Sequence, residues 1–317
     1  MRLVFAGTPR TAVPSLHSLI DAGLAPVLVV TRPDRPAGRG RALAAPPIKA
    51  AALEAGLEIV QPEKIRDPAF VGRLAACEAD WLVVVAYGRI LPPSVLELPR
   101  GGAVNVHFSL LPLYRGAAPV QWALARGEAT TGVTTMRMNE RMDEGDVLLR
   151  RETAIEPGEH APALAERLSH VGAALLLETL SRLARRDLEP VPQEAAAATY
   201  APILRREDGE ISPSLVAREI EGRVRGFDPW PGVWLISRSV RLRLVTARVL
   251  DAPPAQAPPG TLLELRQDGI TMACGAGTTL LIETVQLAGR GIRSARDAVN
   301  GRQIAPGDRL EPIGSAS

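Results

Sequence analysis

Lysine is nearly missing from this chain. Of 37 cationic residues only Lys49 and Lys64 are lysine, and the other cations are arginine. Against 35 acids they leave a net charge of +2, so total charge makes no case for nucleic acid. The arginine excess is a mark of genome composition, and the placement of the cations matters more than their number. Cysteine is as scarce: Cys77 and Cys274 lie far apart in apolar surroundings with no His or Cys at ligand spacing. Buried reduced thiols are expected there, and no structural metal. Long hydrophobic runs are missing too. No apolar stretch approaches the roughly 18 residues of a membrane helix. The opening, Met1 to Pro9, breaks too early for a signal peptide, so a cytoplasmic location is expected. A last absence removes the dinucleotide reading. The first strand-turn-helix would need Gly-x-Gly-x-x-Gly, and it has Gly7, Pro9 and Ala12 in those places.

What is present is an ordinary globular composition, 46% hydrophobic and 23% charged, in 317 residues, long enough for two domains. Short apolar runs at 2–6, 26–31, 57–60, 81–86 and 102–106 read as strands, with helical periodicity at 13–22, 48–55 and 68–76 between them. That alternation predicts an α/β domain built on a Rossmann-like, open, mainly parallel sheet with helices on both faces. Alternating segments at 131–138 and 146–153 predict a hairpin, and 162–183 a long helix. A Pro/Ala-rich tether at 189–202 marks the boundary. Beyond it, a helix at 215–225 precedes five short strands with Pro- and Gly-rich turns, the pattern of a small β-barrel. The expected division is 1–188, a linker at 189–208, and 209–317.

The residues with chemistry to offer sit where the fifth strand ends. Asn105 and His107 are two apart, so in an extended chain both project to one face. An amide can donate to a developing oxyanion, and an imidazole can carry a proton near neutral pH, so the pair suits carbonyl chemistry. A buried Asn–His pair that merely satisfies a strand end is the plain alternative. Tyr87-Gly88, after the fourth strand, would open onto the same crevice, with Gly88 allowing close backbone approach to a flat ligand. Between the second strand and its helix lies a loop far longer than is usual, carrying Arg32, Arg35, Arg39 and Arg41 against Asp34 alone. It reads as a cationic arm or as a solvated loop. The acidic turn Asp143-Glu144-Gly145-Asp146 is equally ambiguous between capping and catalysis.

The string Asn-x-His-x-Ser-Leu-Leu-Pro at 105–112, continued by Tyr-Arg-Gly-Ala-Ala-Pro-x-Gln at 114–121, resembles the signature of the methionyl-tRNA formyltransferases, a branch of the folate-dependent formyltransferase family. The resemblance extends over Pro-Asp-Arg-Pro-Ala-Gly-Arg-Gly at 33–40, Tyr-Ala-Pro at 200–202 and Phe-Asp-Pro-Trp-Pro-Gly at 227–232. It implies an enzyme that passes the formyl group of 10-formyltetrahydrofolate to the α-amine of methionine on initiator tRNA. It further implies Asn105, His107 and Asp143 as catalytic residues. Ser109, Leu110, Leu111 and Pro112, with Tyr87 and Gly88, would line the folate side, and the arm with Arg32, Arg35, Arg39 and Arg41 would reach tRNA. The second domain would be an OB-like, tRNA-binding barrel. No membrane and no obligate protein partner are expected, and the chain would act as a monomer. A small amine, on an amino-sugar nucleotide or glycinamide nucleotide, is the alternative acceptor; a noncatalytic RNA-binding or folate-sensing protein is a further one. The chain departs from the family at Arg141, where Gly is usual, and at Glu144, where Thr is common.

Overall fold

Runs of Val, Leu and Ile make the strands, and proline starts most of the helices that separate them. In chain order the first elements of the computed structural model are β1 (Leu3–Gly7), α1 (Val13–Asp21), β2 (Leu28–Val30), β3 (Arg35–Ala37), β4 (Ala42–Ala44), α2 (Pro47–Glu54), β5 (Ile59–Val60) and α3 (Pro68–Ala76). Then come β6 (Trp81–Val85), α4 (Pro93–Leu96), β7 (Ala103–His107), α5 (Pro119–Ala125), β8 (Thr130–Arg137), β9 (Val147–Ala154) and α6 (Ala161–Arg185). Residues 1–37 and 42–314 are described. They divide into two units: Met1–Pro119, Thr130–Ala154 and Ala165–Pro202 form one, and Val120–Ala129, Ile155–Leu164 and Ile203–Ser317 the other. No described helix is long and apolar enough to cross a membrane.

The first unit holds a seven-stranded sheet of order β5-β2-β1-β6-β7-β8-β9. Its first five strands are parallel, as the alternation requires, and the expected hairpin, β8–β9, extends β7 antiparallel. The chain works outward from β1 to β5 and then returns to β6, so the order reverses between β1 and β6. In such sheets ligands bind beyond the carboxyl ends of the strands at that reversal. The strand expected at 57–60 shortens to two residues because the Leu57 amide still caps α2, donating to the Ala52 carbonyl at 2.9 Å. One face carries a core of Val4, Leu28, Val30, Leu82, Val84, Phe70 and Leu74, each side chain contributing about 1.5–3 kcal/mol by burial. On the β7–β8 part of the sheet α6 is pinned by a hydroxyl pair, Thr135 to Thr179, at 2.8 Å.

The long loop after β2 is more ordered at its flanks than a solvated loop would be. Arg35, Pro36 and Ala37 pair with Ala44, Leu43 and Ala42 as a short antiparallel ribbon. Asp34, expected to face the arginines, is instead held by Lys49 at 2.7 Å and by Gln61 at 2.7 Å, and hydrogen bonds from Gln61 and then Lys49 keep its carboxyl below the usual range. Among the described residues its partners are Lys49 and Gln61, not the arginines. Arg39 and Arg41 lie outside the described residues.

In the second unit α7 (Ala217–Gly226) precedes β10 (Val233–Ser237), β11 (Val240–Leu250), β12 (Leu262–Leu265), β13 (Ile270–Ala273), β14 (Thr279–Leu287), β15 (Arg293–Ser294) and α8 (Ala295–Asn300). The sheet order is β10-β11-β14-β13-β12, with β15 on β14. Its two edges are joined by a segment no periodicity announces. Glu311 pairs with Ile236 on β10, and Arg309 with Thr261 just before β12, closing the sheet into the expected barrel. Several arginines that could have faced phosphate are engaged: Arg225 by Glu221 at 2.9 Å, Arg241 by Glu210 at 3.1 Å and Arg243 by Asp228 at 2.7 Å.

Candidate active site

β7 is buried along its whole length, and every second residue from Ala103 shares one face of the sheet, with the later positions nearest the crevice at the strand's carboxyl end. Those positions are Ala103, Asn105 and His107. Asn105 lies between Val84 of β6 and Met136 of β8, and His107 beside Thr134 of β8. Asn105 is 9% exposed, and among the described residues none hydrogen-bonds its side-chain amide. Its polar atoms are not fully enclosed, so the amide is open to whatever enters the crevice and its donors stand ready.

After His107 the chain leaves the sheet in a turn that its own side chains fix. Ser109 Oγ donates to the Leu113 carbonyl at 2.6 Å. Thr134 Oγ1 donates to the Ser109 carbonyl at 2.7 Å and accepts from the Leu111 amide at 3.0 Å. Leu111 packs with Met136 and Val147 in a small apolar cluster, so its side chain is structural, whereas Leu110 and Pro112 are partly exposed. Tyr114 takes the left-handed conformation, φ 60°, and its carbonyl oxygen lies 3.0 Å from His107 Nε2. A carbonyl only accepts, so Nε2 carries hydrogen and the ring presents Nδ1. Asp143 Oδ2 stands 3.7 Å from Nδ1.

The Asp143 turn follows β8 and folds back toward β7. Asp143 is itself left-handed, φ 54°, and its Oδ2 accepts from the Gly116 amide at 2.8 Å. Gly116 has φ 123°, and a Cβ there would collide with the Ala201 carbonyl, so glycine is demanded twice over. Asp146 contributes through its backbone, its carbonyl accepting from the Arg137 amide at 2.8 Å.

The structure thus brings Asn105, His107 and Asp143 together, and disperses some other residues singled out in the sequence. Tyr87 presents no ring to a ligand: it is 1% exposed inside the core with Leu28, Val30 and Leu91, and burial pushes its hydroxyl up to about 12. Its backbone carbonyl accepts from Thr8 Oγ1 at 2.9 Å, tying the ends of β1 and β6. Gly88, with φ 78° and exposed, does open at the carboxyl end of β6. Arg32 lies beside it, its Nη1 3.4 Å from where a Gly88 Cβ would stand, rather than out on the arm. Arg35 is exposed in β3. Residues that sequence reasoning missed come from the supposed tether. Thr199 receives the Tyr114 amide on Oγ1 at 2.8 Å and the Arg115 amide on its carbonyl at 2.8 Å. Gln193 reaches the Asp143 turn. Composition alone carried no signal for either.

The sequence matches the Formyl transferase profile over residues 1–180 and the Formyl transferase, C-terminal domain profile over 203–303. It is 47% identical over 311 residues to the methionyl-tRNA formyltransferase of Acidobacterium capsulatum, covering 98% of this chain and 99% of that one. With that of Koribacter versatilis the identity is 48% over 318 residues, covering 99% and 100%. The chain belongs to the methionyl-tRNA formyltransferase family. The fold is shared with an N-formyltransferase from Helicobacter canadensis solved with folinic acid and dTDP-3-aminofucose, at TM-score 0.66 and 15% identity over 89% of this chain and 98% of that one. It is shared also with HypX from Aquifex aeolicus in complex with tetrahydrofolic acid, at TM-score 0.60 and 17% identity over 94% of this chain and 47% of that one. The two departures of this formyltransferase family member answer one another. Arg141 Nη1 lies 3.4 Å from Glu144 Oε2, and Glu144 Oε1 lies 3.6 Å from the buried Arg115. A charged pair thus occupies the turn at the two positions where the sequence departs from the resemblance.

Proposed function

We propose that this chain transfers the formyl group of 10-formyltetrahydrofolate to the α-amino nitrogen of methionine esterified to initiator tRNA, for translation initiation in the cytoplasm. The observation that carries the reading is the convergence at the end of β7 of an unpartnered Asn105 amide, the His107 ring and the Asp143 carboxylate. Near-full-length identity to methionyl-tRNA formyltransferases supports the choice of acceptor.

Attack of a neutral amine on the formyl carbon creates a tetrahedral centre whose oxygen becomes anionic, while the folate nitrogen leaves as the carbon–nitrogen bond breaks. Asn105 donates to that oxygen. His107 takes a proton from the attacking nitrogen at Nδ1 and returns it toward the leaving nitrogen, directly or through one water. The Tyr114 carbonyl orients the ring through Nε2, and Asp143 stabilises it once Nδ1 is protonated; the geometry of Asp143 is itself set by the Gly116 amide. The exposed Gly88, at the carboxyl end of β6 beside the sheet's reversal point, fits the approach of a flat pterin, and the partly exposed Leu110 and Pro112 wall the same crevice, with Ser109 and Leu111 fixing the turn behind them. Chemistry is assigned to 1–188 and tRNA binding to 209–317, joined through 189–208. Arg35, Arg39 and Arg41 give the arm its charge for phosphate. No obligate protein partner is invoked, and the monomer is the working unit.

The test is direct. Purified protein is incubated with 10-formyltetrahydrofolate and either methionyl initiator tRNA or free amines, including amino-sugar nucleotides, and N-formyl product is sought. Product on the charged tRNA alone is expected. Formylation of the small amines with the tRNA untouched would overturn the proposal.

A further inference from the structure

Gln193 lies in the stretch whose composition reads as a tether, and it does the opposite of what a tether does. Its Nε2 donates to the Asp143 carbonyl at 2.9 Å and to the Gly145 carbonyl at 2.7 Å. Its Oε1 accepts from Arg115 Nε at 3.1 Å and Nη2 at 2.9 Å. The amide orientation is forced, because carbonyl oxygens only accept and a guanidinium only donates. Arg115, 4% exposed, reaches on to Glu144, so one arginine braces the turn through Gln193 on its main chain and through Glu144 on its side chain.

The turn needs bracing. Asp143 is a non-glycine residue in left-handed backbone, a conformation that persists only where surrounding contacts over-determine it. The segment bearing Gln193 is itself fixed at both ends. Val191 exchanges two hydrogen bonds with Val147 at 2.8 Å each. The Ala201 amide donates to the Arg115 carbonyl at 2.7 Å, and the Ala201 carbonyl accepts from the Ala118 amide at 3.2 Å. Sequence from 191 to 201 is thus a strap laid along the loop that holds His107 and Asp143.

We propose that Gln193 is a positioning residue for the formyl transfer: it holds the Asp143 turn so that the carboxylate meets His107, and acts only through that carboxylate. This rests on the role given to Asp143 above. Gln193→Glu is the informative variant. It keeps the size and the acceptor for Arg115, but sets an oxygen where two donated hydrogens met two carbonyls.

The experiment measures kcat, and KM for folate and for charged tRNA, in Gln193→Glu, Asp143→Asn and the double variant, with thermal melting of each. Gln193→Glu is expected to lower kcat by about 10²-fold, the loss that accompanies a displacement of roughly 1 Å at a reacting group, with both KM values unchanged. The double variant is expected to be no slower than Asp143→Asn alone, since both act through one carboxylate. Losses that multiply in the double variant would mark a general brace and overturn the inference. So would a wild-type kcat in Gln193→Glu beside a slow Asp143→Asn. Wild-type kcat in Asp143→Asn would instead overturn the catalytic reading of Asp143, and this inference with it. Should Gln193→Glu fail to fold, Gln193→Met, which removes the donors without adding charge, carries the same cycle.

Discussion

Replacing Asn105 by Ala separates the two things this residue could be. Its amide sits in the middle of a buried strand, between Val84 and Met136, and takes no hydrogen bond among the described residues. In the folded protein it therefore contributes little stability through hydrogen bonding, and, not being fully enclosed, it carries no large desolvation penalty either. Removing it breaks no hydrogen bond and leaves a small cavity, so the melting temperature should change little. The reaction should suffer much more. Losing one preorganised donor to an oxyanion costs about 2.7–4 kcal/mol of transition-state stabilisation, or about 10²- to 10³-fold in kcat. Binding of charged tRNA should hold, because Asn105 lies in the buried interior of β7 and carries no charge for phosphate. The assay is single-turnover formylation at saturating tRNA, so that chemistry rather than product release is read, together with calorimetric melting. A tenfold loss or less in that regime would refute the oxyanion role. A clear fall in melting temperature with a matching loss of rate would show the plain Asn–His strand-end pair instead.

Other expectations follow from single contacts. Gly116→Ala places a Cβ against the Ala201 carbonyl in left-handed backbone, and should lower stability by about 1–3 kcal/mol while also slowing catalysis through the Gly116 amide that holds Asp143; an unchanged melt would refute the collision. Tyr87→Phe removes a buried hydroxyl that lacks a partner, so stability should rise by about 1 kcal/mol with kcat and folate KM unchanged, whereas a raised KM would return the ring to the folate site. Tyr87 also makes the wild type sensitive to alkali. With a folded value of about 12 against about 10 when unfolded, its protonated form is favoured by folding, so this contribution is intact below pH 10 and lost as pH rises through 12. The Phe variant should lose less stability over that window in urea titrations at stepped pH. In the arm, the Arg39→Ala, Arg41→Ala double variant should shallow the salt dependence of initiator-tRNA binding by roughly two units of slope, and bound tRNA should protect the arm from trypsin. Superimposable salt curves would remove the arm from the interface.

What the sequence determined by itself was whatever local pattern carries. Apolar runs of four to six residues separated by periodic helices dictated a parallel sheet, because both faces of such strands must be covered. The two-residue spacing of Asn105 and His107 put them on one face, because the side-chain period of a strand is two. The five barrel strands and α7 could be read to within a few residues for the same reason. What the tertiary structure decided lies between segments remote in sequence, which no period connects. Asp34 was taken up by Lys49 and Gln61. Arg32 came to lie against Gly88, and the ring of Tyr87 turned into the core. The barrel was closed by 309–311, too short a stretch to show alternation. A Pro/Ala-rich segment with no hydrophobic pattern became the strap carrying Gln193, because its order comes from backbone hydrogen bonds to 112–118 and Val147, and main-chain pairing between distant segments leaves almost no trace in side-chain identity.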